Sequence, residues 1–171
     1  MEYRWPTREE KTTINRAFGR WGVFDYFKNK TLMIETNGTR RVCLMSSELE
    51  SLLPKIDPDV AGMAIGQVTK QFFPSMPGAD LFARVAIKNQ YYVSVGDNAE
   101  KLVLYGRDVM GDSILDCSEE LDENEIVILL NPGGEAIGVG RTRFAGRFLL
   151  SRGKITITTL LDAGLYLREE G

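Results

Sequence analysis

Apolar residues in the first segment recur at helical spacing, with Ile14, Ala17, Phe18 and Trp21 on one face of a 3.6-residue repeat. Thr7 followed three residues later by Glu10 forms a capping box at the start of that helix, and Gly22 is its stop. Trp21 is therefore expected in the core. Two β-compatible runs over residues 31–45 flank Asn37-Gly38, which predicts a hairpin with a type I′ turn. Arg40 and Arg41 stand beside its tip, as solvated bases or alternatively as RNA contacts. Ser47 and Glu50 suggest a second capping box, with Leu49, Leu52 and Leu53 on the apolar side and Pro54 closing a short helix. Pro58, Pro74 and Pro77 then mark loops and short elements. Residues 81–87 and 91–95 read as two strands, with a helix open as the alternative for the first. Adjacent aromatic pairs, Phe72-Phe73 and Tyr91-Tyr92, should place one ring inward and one outward if extended.

The turn cluster Gly96-Asp97-Asn98 divides the chain into an amino-terminal α+β domain, residues 1–96, and a second domain, residues 97–171. No long linker separates them, so the two are expected to pack. The second half patterns as mostly β. Residues 125–130 form a buried-strand run, residues 131–134 a turn, and residues 136–143 the returning strand. Ile155, Ile157 and Thr159 alternate as in a half-buried strand, and Leu165-Tyr166-Leu167 is placed to close the sheet. Several short strands with tight turns predict a small barrel, and the fold class is α+β.

Composition narrows the function. The chain has 171 residues, 43% apolar and 26% charged, which fits a soluble two-domain protein. No apolar run approaches the roughly 18–20 residues of a membrane span, and MEYRWPTREE lacks a secretory signal's apolar stretch. No membrane partner is expected. Cys43 and Cys117 read as reduced thiols of an intracellular protein. The absence of histidine removes the commonest general base and metal ligand. No metal, cofactor or catalytic residue is assigned. In NPGGEAIGVG the third glycine of a dinucleotide fingerprint is replaced by Arg143, GK[ST] is missing, and the acidic segment lacks EF-hand spacing.

Charge is segregated along the chain. The net value is −3, yet the first 30 residues carry seven bases against four acids. Seven acids and no base lie between Gly111 and Glu125 (Asp112, Asp116, Glu119, Glu120, Asp122, Glu123, Glu125). This segment reads as a solvated loop or sheet edge, or alternatively as a docking surface for a basic partner. From Gly138 to Leu161 the pattern inverts to Arg141, Arg143, Arg147, Arg152 and Lys154 without an acid. Arg141 and Arg143 alternate on one strand face, and the other three follow across a turn. Such a cluster can neutralise phosphates and stack on unpaired bases, or can simply be a solvated face.

Three segments in order then carry a resemblance. VLYGRDVMGDSI, with Leu104, Gly106, Asp108, Val109, Gly111 and Ile114, is similar to the opening of a PUA domain, where the DV pair lies in a short helix. ENEIVILLNPGGEAIGVGRTRF is similar to its central hairpin, and Asp162, Gly164, Tyr166 and Arg168 match its closing tail. Preceded by a helix-plus-hairpin domain, this layout resembles the large-subunit ribosome biogenesis factors called nuclear import protein seven, archaeal relatives included. The resemblance implies an amino-terminal pre-PUA domain followed by a PUA pseudo-barrel. It also implies non-catalytic binding of RNA, as single-stranded or loop segments of pre-ribosomal RNA. Ribosome assembly or exosome proteins are the implied partners. The location is cytoplasmic in an archaeal source and nucleolar in a eukaryotic one. It adds Arg107, after Gly106, to the RNA-contact set of Arg141, Arg143, Arg147, Arg152 and Lys154, with Asp108 as a helix cap. The overall acidity departs from that of a free RNA binder and suggests that a protein partner supplies part of the affinity. Two alternatives stay open: an RNA-modification enzyme or its accessory subunit, and a protein-interaction module with incidental RNA binding.

Overall fold

The computed structural model describes residues 2–56, 61–87, 90–165 and 168. Its first half is an antiparallel meander, β1 (Tyr3–Arg4), β2 (Thr31–Glu35), β3 (Arg41–Met45), β4 (Met63–Val68) and β5 (Phe72–Pro74), in that spatial order. Three helices accompany it at this stage of the chain: α1 (Arg8–Arg20), α2 (Phe24–Phe27) and α3 (Ser47–Leu52). The capping box of α1 forms as expected, Thr7 accepting from Glu10 N–H while the Glu10 carboxylate accepts from Thr7 N–H. The helix ends at Trp21, ahead of Gly22 at φ +68°.

Three local expectations change. The hairpin loop spans five residues, because Glu35 pairs with Arg41. Gly38 has φ +86° and Asn37 does not have positive φ, so the turn is not type I′, which needs both. Thr36 N–H instead donates to the Glu2 carbonyl and continues the sheet toward β1. Ser46 rather than Ser47 caps α3, accepting from Leu49 N–H, and Pro54 lies within a 3-10 turn that prolongs it. Residues 81–87 do not form a strand, since α4 (Met76–Val85) runs through most of them. Ser75 caps that helix, Pro77 suits its first turn, and a Cβ on Gly78 would lie 1.8 Å from the Ile65 carbonyl oxygen. Only glycine lets α4 start that close to β4. Pro58 lies outside the described residues.

The second sheet holds β6 (Tyr92–Val95), β7 (Val109–Met110), β8 (Ile114–Asp116), β9 (Ile126–Leu130), β10 (Ala136–Thr142) and β11 (Ile155–Asp162). Their order is β7-β11-β10-β9-β6-β8, antiparallel except for β6 beside β9. Between β6 and β7 runs α5 (Asp97–Val103). β6 hydrogen-bonds within this sheet, to β8 on one side and β9 on the other. Gly96 is the N-cap of α5, and Asp97 and Asn98 form its first turn. The DV pair falls at the entry to β7, not in a helix. Leu165 is helical and Arg168 N–H donates to the Gly164 carbonyl, so the closing strand expected there is not extended at Leu165. Tyr166 and Leu167 lie outside the described residues.

The continuous apolar run of β9 is explained by burial on both faces. Val127 and Leu129 point into the core enclosed by the second sheet, with Val93, Val103, Leu149 and Ile157. Ile126 and Ile128 point the other way, into a core shared with Phe18, Trp21, Phe27, Phe72 and Phe82 of the first half. Tyr92 joins that shared core, its hydroxyl donating to the Trp21 carbonyl at 2.8 Å.

Candidate nucleic-acid interface

The aromatic pairs split as their alternation predicts, Phe72 and Tyr92 buried, Phe73 and Tyr91 half-buried. Each outward ring then receives an arginine from the other half. Arg20 Cζ lies 5.7 Å from the Tyr91 ring centroid, and Arg141 Cζ lies 6.0 Å from that of Phe73. Arg141 also donates to the Asn124 carbonyl at 3.2 Å, so it sits at the seam between the halves.

Arg143 follows a different course. Gly106, at φ +76°, turns the chain out of α5 and brings Arg107 and Asp108 against β11. Thr159 donates twice there, by its hydroxyl to the Arg107 carbonyl and by its N–H to Asp108 Oδ1, both at 2.9 Å. Arg143 Nη2 donates to Asp108 Oδ2 at 3.0 Å and its Nε to Thr158 Oγ1 at 2.7 Å. Asp108 is thus a clamp on Thr159 and Arg143 and not the helix cap expected from sequence.

At the other end of the β7–β11 edge stands the turn carrying Arg152 and Lys154. Asp112 Oδ1 accepts from Gly153 N–H at 2.7 Å, and Gly111 N–H donates to the Lys154 carbonyl at 2.9 Å. Strand rise puts Lys154 and Thr159 about 17 Å apart along β11. Arg147 occupies a 3-10 turn, Gly146–Phe148, with its Cζ 4.9 Å over the Phe148 ring. The six bases therefore lie in separate settings: Arg141 at the seam, Arg143 and Arg107 at one end of the edge, Arg152 and Lys154 at the other, and Arg147 on its own turn. Arg107, Arg147, Arg152 and Lys154 are exposed and make no ion pair among the described residues.

Sequence reasoning passed over the apolar side chains standing among these bases. Tyr105 is 71% exposed and Phe148 50%, and Phe144 and Leu150 are exposed as well. The alternation of base and aromatic in Arg143-Phe144 and Arg147-Phe148 was the available signal.

The acidic segment includes the edge strand β8 and an exposed loop after it, tied down at several points. Asp112 holds the Gly153 turn, Glu125 accepts from Arg20 at 3.2 Å, and buried Leu121 pins the stretch between them. Burial raises the Cys117 thiol above its usual pKa, with Asp116 and Glu119 adding to the effect. Cys43 is pushed up to about 11, chiefly by burial. Among the described residues no cluster of three metal-type side chains occurs, and no helix is long and apolar enough to cross a membrane.

Comparison with known proteins is decisive on family. Residues 3–76 match the NIP7/UPF0113 pre-PUA domain, and residues 91–171 match the UPF0113 PUA domain. A UPF0113 protein of Archaeoglobus fulgidus is 30% identical over 99% of this chain and 97% of its own length. The chain belongs to the NIP7/UPF0113 family. As a family member it carries an amino-terminal pre-PUA region followed by a PUA domain, the architecture that the sequence resemblance implied. Two solved structures share its fold over 99% of both chains. One is a conserved PUA domain protein from Thermoplasma acidophilum, with TM-score 0.68 at 15% identity. The other is a hypothetical protein from Pyrococcus horikoshii, with TM-score 0.72 at 13% identity.

Proposed function

We propose that this NIP7/UPF0113 protein is a non-catalytic RNA-binding factor that grips single-stranded or loop RNA through its PUA domain. One observation carries the reading: four exposed bases without an ion pair among the described residues, Arg107, Arg147, Arg152 and Lys154, and the exposed rings of Tyr105, Phe144 and Phe148 lie on and beside the β7–β11 edge. Cations neutralise phosphates while flat rings stack on unpaired bases, and the combination suits single strands better than duplex. Arg143 is half-neutralised by Asp108, and Arg141 serves the domain seam first. Family membership supports a role in pre-ribosomal RNA processing and large-subunit assembly, with assembly or exosome proteins as partners inside the cell.

Binding of a labelled single-stranded RNA, measured by fluorescence anisotropy at two salt concentrations, tests the site. The R107A/R152A/K154A variant is expected to bind about ten- to a hundredfold more weakly, with a salt slope lower by about 2, because three phosphate contacts are lost. Unchanged affinity would sink the assignment. Asp108→Asn is expected to act in the opposite direction. Its amide oxygen can still accept from Thr159 N–H while the negative charge beside Arg143 disappears. A several-fold gain in RNA affinity is expected in the same assay, and a loss would place Asp108 on the binding side instead.

A further inference from the structure

We propose that the pre-PUA domain carries a second, phosphate-binding groove for the same RNA strand, formed between α1 and the β4–β5 turn. The inference rests on the RNA-binding reading above and extends it to the other domain. Two cavities of about 330 and 130 Å³ adjoin here and share Thr13 and Lys70 in their walls. The larger is bounded by Arg4 and Arg40, and the smaller by Arg16, Arg20 and Trp21.

Five bases line this path, against Glu9 and Glu10 in its walls and Glu125 at its end, which leaves 5 − 3 = +2 in a chain whose net charge is −3. Those bases are held in place. Buried Glu10 accepts from Arg4 at 2.8 Å on both oxygens and from Arg40 at 3.1 Å, so two guanidinium groups are fixed at one end of the groove. Arg16 and Arg20 follow one helical turn apart on α1. Arg16 and Lys70 make no ion pair or side-chain hydrogen bond among the described residues, so their charge is available to a ligand. Trp21 lines the smaller cavity, and its indole N–H is buried without an acceptor among the described residues. Cations held along a groove in this way are complementary to phosphate oxygens.

Connection to the PUA domain identifies the ligand as a polymer. The inner cavity reaches Ile126 at the start of β9. Arg20 donates to Glu125, the adjacent Asn124 carbonyl accepts from Arg141, and Arg143 follows at the exit of β10. Bases thus run from Arg4 and Arg40 through Lys70, Arg16 and Arg20 to Arg141 and Arg143. One phosphodiester strand lying along this line would touch both domains.

The test measures the salt dependence of binding of a 20-nucleotide single-stranded RNA to the full chain. R16A/K70A removes two exposed, unpaired charges and is expected to keep the wild-type melting temperature. Its salt slope should fall by about 1.4, at about 0.7 per phosphate on a single strand, and R16K/K70R should restore it. A wild-type slope in R16A/K70A would overturn the groove. The same slope together with lost binding of poly-glutamate would assign the groove to an acidic protein and overturn it as well. R152A/K154A, measured in parallel, separates this inference from the PUA reading. If R16A/K70A changes the slope and R152A/K154A does not, the groove stands and the β7–β11 site falls. The reverse pattern removes the groove alone.

Discussion

Replacing Phe82 by alanine is expected to lower the free energy of unfolding by about 3–5 kcal/mol, the range for a large aromatic side chain removed from a packed core. Phe82 is fully buried, and its ring centroid lies 5.6 Å from Phe27, 5.7 Å from Phe18, 5.9 Å from Trp21 and 6.1 Å from Phe72. These are edge-to-face, tilted and stacked contacts, each worth about 0.5–1.5 kcal/mol beyond the area buried. The site cannot readily collapse, because α4 packs on β4 and β10 and Gly78 already brings it into backbone contact with Ile65 of β4. The same core includes Tyr92, Ile126, Ile128 and Val139 of the PUA domain. Urea unfolding followed by tryptophan fluorescence and far-ultraviolet circular dichroism should therefore show one shifted transition with an unchanged slope. Two separated transitions would mean that the halves do not share a core.

The second large effect concerns acid. The Arg4 guanidinium beside Glu10 holds the carboxyl at about 2, well below its ordinary 4.5, helped by Thr7 N–H and Arg40 and opposed by burial. A carboxyl depressed in the folded state stabilises the protein above its unfolded pKa. That contribution disappears as pH falls from about 4.5 toward 2. The interval corresponds to about 3 kcal/mol at neutral pH. Glu10→Gln is expected to lose most of it at pH 7 and to show a flatter decline of melting temperature between pH 5 and pH 2.5. Parallel declines in the two proteins would show that the Arg4–Glu10–Arg40 cluster is not the source of acid sensitivity.

Local chemistry was legible where it depended on neighbours in sequence. Thr7 and Glu10 announce their helix because both halves of the capping box lie within one turn. The run of β9 announces a doubly buried strand because every residue from 126 to 129 is apolar and buried. Failures came where a distant contact overrode a local preference. Asn37-Gly38 favours a two-residue turn, but the Arg41–Glu35 ion pair, at 2.6 Å, closes a longer loop. Residues 81–87 alternate weakly enough to pass for a strand, and the deciding signal lay upstream in Ser75, Pro77 and Gly78. The basic candidates were visible as residue types, but their fates were not. Asp108 and Arg143 are 35 positions apart, and Arg141 meets Phe73 across the domain seam, at separations that periodicity does not reach.

With apolar side chains from both halves against its two faces, β9 is a wall common to two rooms, and the domains cannot swing about it without opening one of them. The span between the α1 groove and the β7–β11 edge is therefore a fixed length. On the proposed reading, a protein built this way would act on a flexible strand as a caliper: two grips at constant separation would accept only those RNA conformations that bridge them. Discrimination among RNAs would then come from the distance and path between two phosphate contacts, with no need to read a single base.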